Sequence, residues 1–229
     1  MQISLTEESA MYDLRLFLSK KGRIKFVSHL DMFRMMQRTV RRADIPLWYT
    51  EGFNPHPYIS FLLALSLGVE SEGEPVDIRI VGDMSPEEVK ERLNKCLPEG
   101  LRVESAAAPF NKSGEITFGE YYCLFDKTEV TKAELYNALT SGELSCEKSG
   151  KQGKKKVIKT VNVSEHIKSF SLSEEGEDIR LDVVLPAGST FNLNPIQLSA
   201  AISSYLDKEA IPVKVMRTAL LTADMKKFC

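Results

Sequence analysis

Residues 75–103, PVDIRIVGDMSPEEVKERLNKCLPEGLRV, hold a strand, a capped helix and a second strand in succession. Val76, Ile78 and Ile80 alternate with Asp77 and Arg79, the period of a strand with one buried face. Ser85, Pro86 and Glu88 then mark a helix start. The Ser85 hydroxyl can accept from a free backbone N–H, Pro86 takes the first helical position, and Glu88 reaches back to the cap. Pro98, Glu99 and Gly100 turn the chain, and Leu101 and Val103 resume a strand.

The same helix signature recurs at Ser28 with Asp31, Thr131 with Glu134, and Asn194 and Pro195 with Gln197. Tyr12, Leu14, Leu16 and Leu18 form a strand pattern before the first helix. Residues 121–125, 157–163, 179–185 and 213–221 supply strands in the second half, rich in β-branched or aromatic side chains. The order is strand, helix, two strands, helix, strand, twice. It predicts an α+β fold of two tandem ferredoxin-like (βαββαβ) units with antiparallel sheets, each with helices on one face and the other face available. The expected division is a polar extension over 1–11, a first unit over 12–110 and a second over 111–229, with a linker-like stretch around Pro109, Asn111 and Gly114. Residues 20–23, KKGR, read as a hairpin turn or as a bulge in a long first strand. Residues 43–47, ADIPL, and 209–213, EAIPV, echo each other as helix exits with shared turn chemistry.

With 229 residues, 43% of them apolar, the chain can bury a real core. A net charge of −2 excludes a protein that coats nucleic acid through overall positive charge, so polyanion binding must come from local patches. No run reaches the roughly 20 apolar residues of a membrane span, and residues 1–10 lack the basic start and apolar middle of a signal peptide. The expected compartment is the cytoplasm. Cys96, Cys123, Cys146 and Cys229 are far apart without a Cys-x-x-Cys pair, so reduced thiols are expected, with no metal site and no cofactor.

Charge is polarised. Residues 13–44 carry nine Lys or Arg against three Asp, a net of +6, whereas residues 70–92 carry eight acids against three bases, a net of −5. On a helical wheel Arg34, Arg38, Arg41 and Arg42 fall in one stripe opposite Met32, Phe33, Met36, Val40 and Ala43. Four guanidinium groups without a lysine suit phosphate, which their forked donors match; the plainer alternative is a solvated face. A second basic patch gathers Lys148, Lys151, Lys154, Lys155, Lys156 and Lys159 at a hairpin tip suited to loose polyanion contact, or to solvation alone.

Between them lies Gly52-Phe53-Asn54-Pro55-His56-Pro57-Tyr58, followed by Ser60. Two prolines hold the backbone around His56 extended and Gly52 permits a positive φ. Trp48, Tyr49, Phe53 and Tyr58 fit base stacking or a small hydrophobic cluster, with core packing expected for Trp48 and Phe53. Acid–base candidates are His29, at the positive start of the first helix, and His56, with Asp31, Ser60 and Glu74 beside them. They form no known catalytic set.

Residues 26–31, FVSHLD, the arginine helix after them, residues 50–57, TEGFNPHP, and residues 65–68, LSLG, together resemble the radical-SAM-linked domain of unknown function, over roughly residues 12–210. That domain occurs alone or C-terminal to a radical S-adenosylmethionine protein. The resemblance implies a radical SAM partner and, from the company such genes keep, an RNA-related setting. It implies no radical chemistry here, because the three closely spaced cysteines that hold the cluster are absent. The tandem layout is also similar to the repeat-processing endoribonucleases of CRISPR systems, an analogy of fold. The expected function is an accessory RNA-binding protein without catalysis of its own. The alternatives are a metal-independent ribonuclease or RNA-modifying enzyme using His29 or His56, and a protein–protein adaptor.

Overall fold

In the computed structural model, which describes residues 10–152, 155–188 and 191–229 and the side chains outside 148–158, each of the capped starts opens a helix. Ser28 Oγ accepts from the Asp31 N–H at 3.2 Å and Ser85 Oγ from the Glu88 N–H at 3.2 Å. Thr131 with Glu134, and Asn194 with Gln197, close full reciprocal boxes. These caps satisfy donors that a helix start otherwise leaves to water.

The chain divides into two compact units. The first takes the described residues up to 67, residues 71–111 and Cys229; the second takes residues 68–70 and the described part of 112–228. In the first, β1 (Met11–Lys20) leads to α1 (His29–Arg42), β2 (Ile59–Phe61), β3 (Glu70–Val81), α2 (Pro86–Cys96) and β4 (Leu101–Ala107). The strands are antiparallel in the order β4, β1, β3, with β2 on the far side of β3. Leu14, Leu16, Leu18, Val76, Ile78 and Ile80 point to one face, where Met32, Met36 and Val40 of α1 and Val89 and Leu93 of α2 cover them.

The opposite face carries a ladder of charge. Arg15 faces Asp77 across the β1–β3 pair with a forked contact at 2.7 and 2.9 Å, and Asp13 takes Arg79 at 2.6 and 3.1 Å. Arg15 is buried, its Nη1 also donating to the main-chain oxygens of Asn111 and Cys229. The face expected to be available is therefore closed over at Arg15.

The second unit runs β5 (Phe118–Asp126), α3 (Lys132–Thr140), β6 (Ser145–Gln152), β7 (Lys155–Asn162), β8 (Ser169–Glu175), β9 (Asp178–Pro186), α4 (Pro195–Leu206) and β10 (Lys214–Leu221). Its sheet orders β10, β5, β9, β8, all antiparallel neighbours. The expected placing of residues 157–163 in that sheet is corrected. They form most of β7, which pairs with β6 in a separate two-stranded sheet, and β8 takes the place beside β9. The KKGR stretch is not a hairpin: the register of β1 against β3 shifts between Leu18 and Lys20, as at a bulge, and Gly22, at φ +68°, then opens a short 3-10 turn over Gly22–Phe26. The echoed helix exits diverge too. Ile45 and Leu47 are buried, whereas Ile211 and Val213 are exposed.

Candidate nucleic-acid interface

Helix α1 is amphipathic as its spacing requires. Met32, Met36 and Val40 sit in the core, while Arg34, Arg38, Arg41 and Arg42 are all exposed. Arg34 makes a loose 3.4 Å contact with Asp31, both side chains more than half exposed, a pair of little energetic weight. Arg42 donates to the Cys96 carbonyl at the end of α2, at 2.9 Å, which fixes its fork. Among the described residues Arg38 and Arg41 have no ionic or hydrogen-bond partner. Arg34, Arg38 and Arg42, one helical turn apart, line a shallow open depression with Asp31, Val27 and Pro98.

The loop after α1 is tied by its own polar groups. The Thr50 N–H donates to the His56 carbonyl at 2.9 Å, the His56 N–H donates to Thr50 Oγ1 at 3.2 Å, and Tyr49 bridges Pro57. His56 Nδ1 lies 3.1 Å from both the Asn54 carbonyl oxygen and Thr50 Oγ1. Gly52 adopts φ +117°. The expectation that Phe53 packs in the core is overturned: its side chain is fully exposed, with Gly52, Asn54, Pro55 and His56 exposed around it. Pro57 is buried and Tyr58 half-buried. The Arg79 guanidinium lies 5.3 Å from the Trp48 ring and 5.1 Å from the Tyr58 ring, which holds the base of the loop. Ser60 sits in β2, opposite Asp77 of β3.

His29 and His56 keep separate company. His29 meets the Phe61 ring edge-on at 5.4 Å and lines a small cavity with Lys20, Met32 and Glu74, the last a buried carboxylate. Asp31 accepts from the Ser28 hydroxyl at 2.7 Å, so it serves the helix start. Lys154 lies outside the described residues, as do the side chains of Lys148, Lys151, Lys155 and Lys156. The backbone register nevertheless sets Lys148 opposite Lys159 and Lys151 opposite Lys156 across the β6–β7 pair.

Sequence reasoning missed a cluster in the second unit. Arg180 lies 4.3 Å and Lys214 5.5 Å from the Tyr122 ring. Asp182 and Glu175 hold Arg180 and raise its pKa, so that cation is already neutralised. Among the described residues no group of His, Cys, Asp or Glu is disposed to hold a metal ion, and no helix is long and apolar enough to cross a membrane.

Fold and surface together define an α+β protein with a multi-strand sheet and a cationic helix face. Residues 14–195 match the family described as "Uncharacterized protein conserved in bacteria (DUF2344)", and the chain belongs to that family. A chain of a Cbf5-Nop10-Gar1 complex is similar at 12% identity over 90% of this chain and 48% of that one, with a TM-score of 0.50. A chain from an H/ACA RNP bound to a substrate RNA containing 2'-deoxyuridine aligns at 11% identity over 94% of this chain and 49% of its own, with a TM-score of 0.48. The present chain spans about half the length of these two, and the likeness to the first is one of fold. No curated protein sequence matches it.

Proposed function

We propose that this protein is a cytoplasmic accessory factor that binds RNA through the arginine face of α1 and presents it to a radical SAM partner. On this reading the chain is a pair of tandem ferredoxin-like units. The strand orders β4-β1-β3-β2 and β10-β5-β9-β8 support that reading, the β6–β7 hairpin being an insertion in the second. The radical SAM partner follows from the sequence resemblance alone.

One observation carries the binding claim. Arg38 and Arg41 are exposed and unpartnered among the described residues, between Arg34 and an Arg42 already held in place. Solvated guanidinium groups along one helix face meet phosphates with forked hydrogen bonds and release condensed counterions as they do so. The exposed Phe53 and the opposed lysines of the β6–β7 pair add a stacking surface and further charge. His29 and His56 share no contact, and acid–base catalysis would need them, or one of them, beside a common reacting atom.

Fluorescence anisotropy with labelled RNA across a salt series tests this. Affinity is expected to fall steeply with salt, and Arg34→Ala with Arg38→Ala to weaken binding about tenfold or more. Salt-independent binding, or no effect of the double substitution, would refute the reading. Incubation of cellular RNA with His29→Ala and His56→Ala variants is expected to give the same products as the unaltered protein.

A further inference from the structure

The depression beside α1 does not end at Val27. A second depression, lined by Lys21, Arg23 and Ile24 on one wall and by Glu99 and Gly100 on the other, begins there, and Val27 and Pro98 line both. The two are thus one groove that bends over an apolar saddle. Its cations are Arg34, Arg38 and Arg42 on the helix side and Lys21 and Arg23 on the turn side, five against the two carboxylates of Asp31 and Glu99. Its floor is Ile24, Val27, Met35 and Pro98. Phe26, two-thirds exposed, stands on the same turn, with the Lys25 ammonium 5.4 Å from its ring.

This groove is built rather than incidental. The Lys21 N–H donates to the Gly100 carbonyl at 2.8 Å, and the Val27 N–H closes the turn on the Ile24 carbonyl at 3.0 Å. Gly100 has φ +83°, and a Cβ there would stand 2.4 Å from the Lys21 carbonyl oxygen and 3.2 Å from Ile24 Cγ2. Glycine is therefore what lets the β4 entry touch the turn and bring Lys21 and Arg23 up to the saddle.

A duplex offers phosphates and groove edges but keeps its base faces stacked inside, so an apolar floor between two rows of cations has nothing to hold. A single strand offers both, because unstacked bases lie on apolar or aromatic surface while the backbone tracks the charge. We infer that the groove takes single-stranded RNA, its phosphates held by Arg34, Arg38 and Arg42 on one side and by Lys21 and Arg23 on the other, with bases on the Ile24–Val27–Pro98 floor. The inference rests on the RNA-binding reading above and names the strand class and the second wall of the site.

Anisotropy on the full chain, with a labelled oligoribonucleotide of about ten nucleotides free or annealed to its complement, tests it. The single strand is expected to bind at least tenfold tighter than the duplex. Lys21→Ala with Arg23→Ala should weaken single-strand binding about tenfold and flatten the salt slope by roughly 0.7 per lost contact. Ile24→Ala should weaken it with the slope unchanged. Equal affinity for the duplex, or no effect at Lys21 and Arg23 while the α1 variants still lose binding, overturns this inference and leaves the broader reading standing. No salt-sensitive binding to either form overturns both. Lys21 and Arg23 are exposed, so melting temperature should match the unaltered protein and report that the fold is intact.

Discussion

Gly100 is the residue on which the groove depends most. Gly100→Ala puts a methyl group against a backbone oxygen and forces a left-handed φ on alanine, so a loss of about 1–3 kcal/mol is expected in urea denaturation. RNA affinity should fall with it, as the turn carrying Lys21 and Arg23 is displaced. At Cys123 burial pushes the thiol up to about 12, with Asp182 adding to the effect. A thiol reagent at pH 8 is expected to modify exposed Cys229 promptly and Cys123 only after unfolding, read by mass spectrometry of the modified peptides. Single residues were unevenly legible in the sequence. The arginines of α1 were read from helical period alone, which fixes a face without any knowledge of tertiary contact. Phe53 was not, because an aromatic side chain between Gly52 and Pro55 looks the same on paper whether it packs inward or stands in solvent. Lys21 and Arg23 escaped for another reason: their groove exists only where residues 98–100 return to the turn, a meeting of segments distant along the chain.

Helix starts were the most readable elements, since a cap and its return partner lie three residues apart and need nothing from the rest of the molecule. Strands that lack a strong apolar period were the least. β8 reads Ser-Phe-Ser-Leu-Ser-Glu-Glu, with its outward residues exposed, and β2 has only three residues. Both were found by pairing with a neighbour, which no local pattern records. The α3 start gives a test. Glu134 is held by the Lys208 ammonium at 2.8 Å and by the Thr131 N–H and hydroxyl, and its pKa drops from 4.5 to about 2. The folded value lies below the unfolded one. The stabilisation is therefore complete above about pH 4.5 and lost as pH falls toward 2. Glu134→Gln should lower the melting temperature slightly at pH 7, by no more than the roughly 1 kcal/mol of a surface pair, and the gap should close across that acid window. Thr131→Ala should cost about 1 kcal/mol at neutral pH by loss of the cap.

For the molecule as a whole, a net charge of −2 coexists with a surface able to bind a polyanion, because residues 13–44 carry a local net charge of +6. Affinity should therefore depend on where salt screens rather than on the isoelectric point. With about five phosphates neutralised, raising salt from 50 to 200 mM is expected to weaken single-strand binding roughly a hundredfold, measured by titration. The β6–β7 hairpin bears on the chain in a different way. Leu144 and Val163 beneath it are fully buried, and the Val163 N–H donates to the Leu144 carbonyl, so the two ends of the insertion are clasped before it begins. Such a clasp makes the hairpin an interchangeable cassette. Residues 146–161 could be exchanged for a two-residue Asn-Gly turn with little change in melting temperature, while any share of RNA affinity owed to its lysines would leave with it. Insertion, deletion or recharging within this arm would then leave the clasp in place, and that makes it the natural place to attach a reporter.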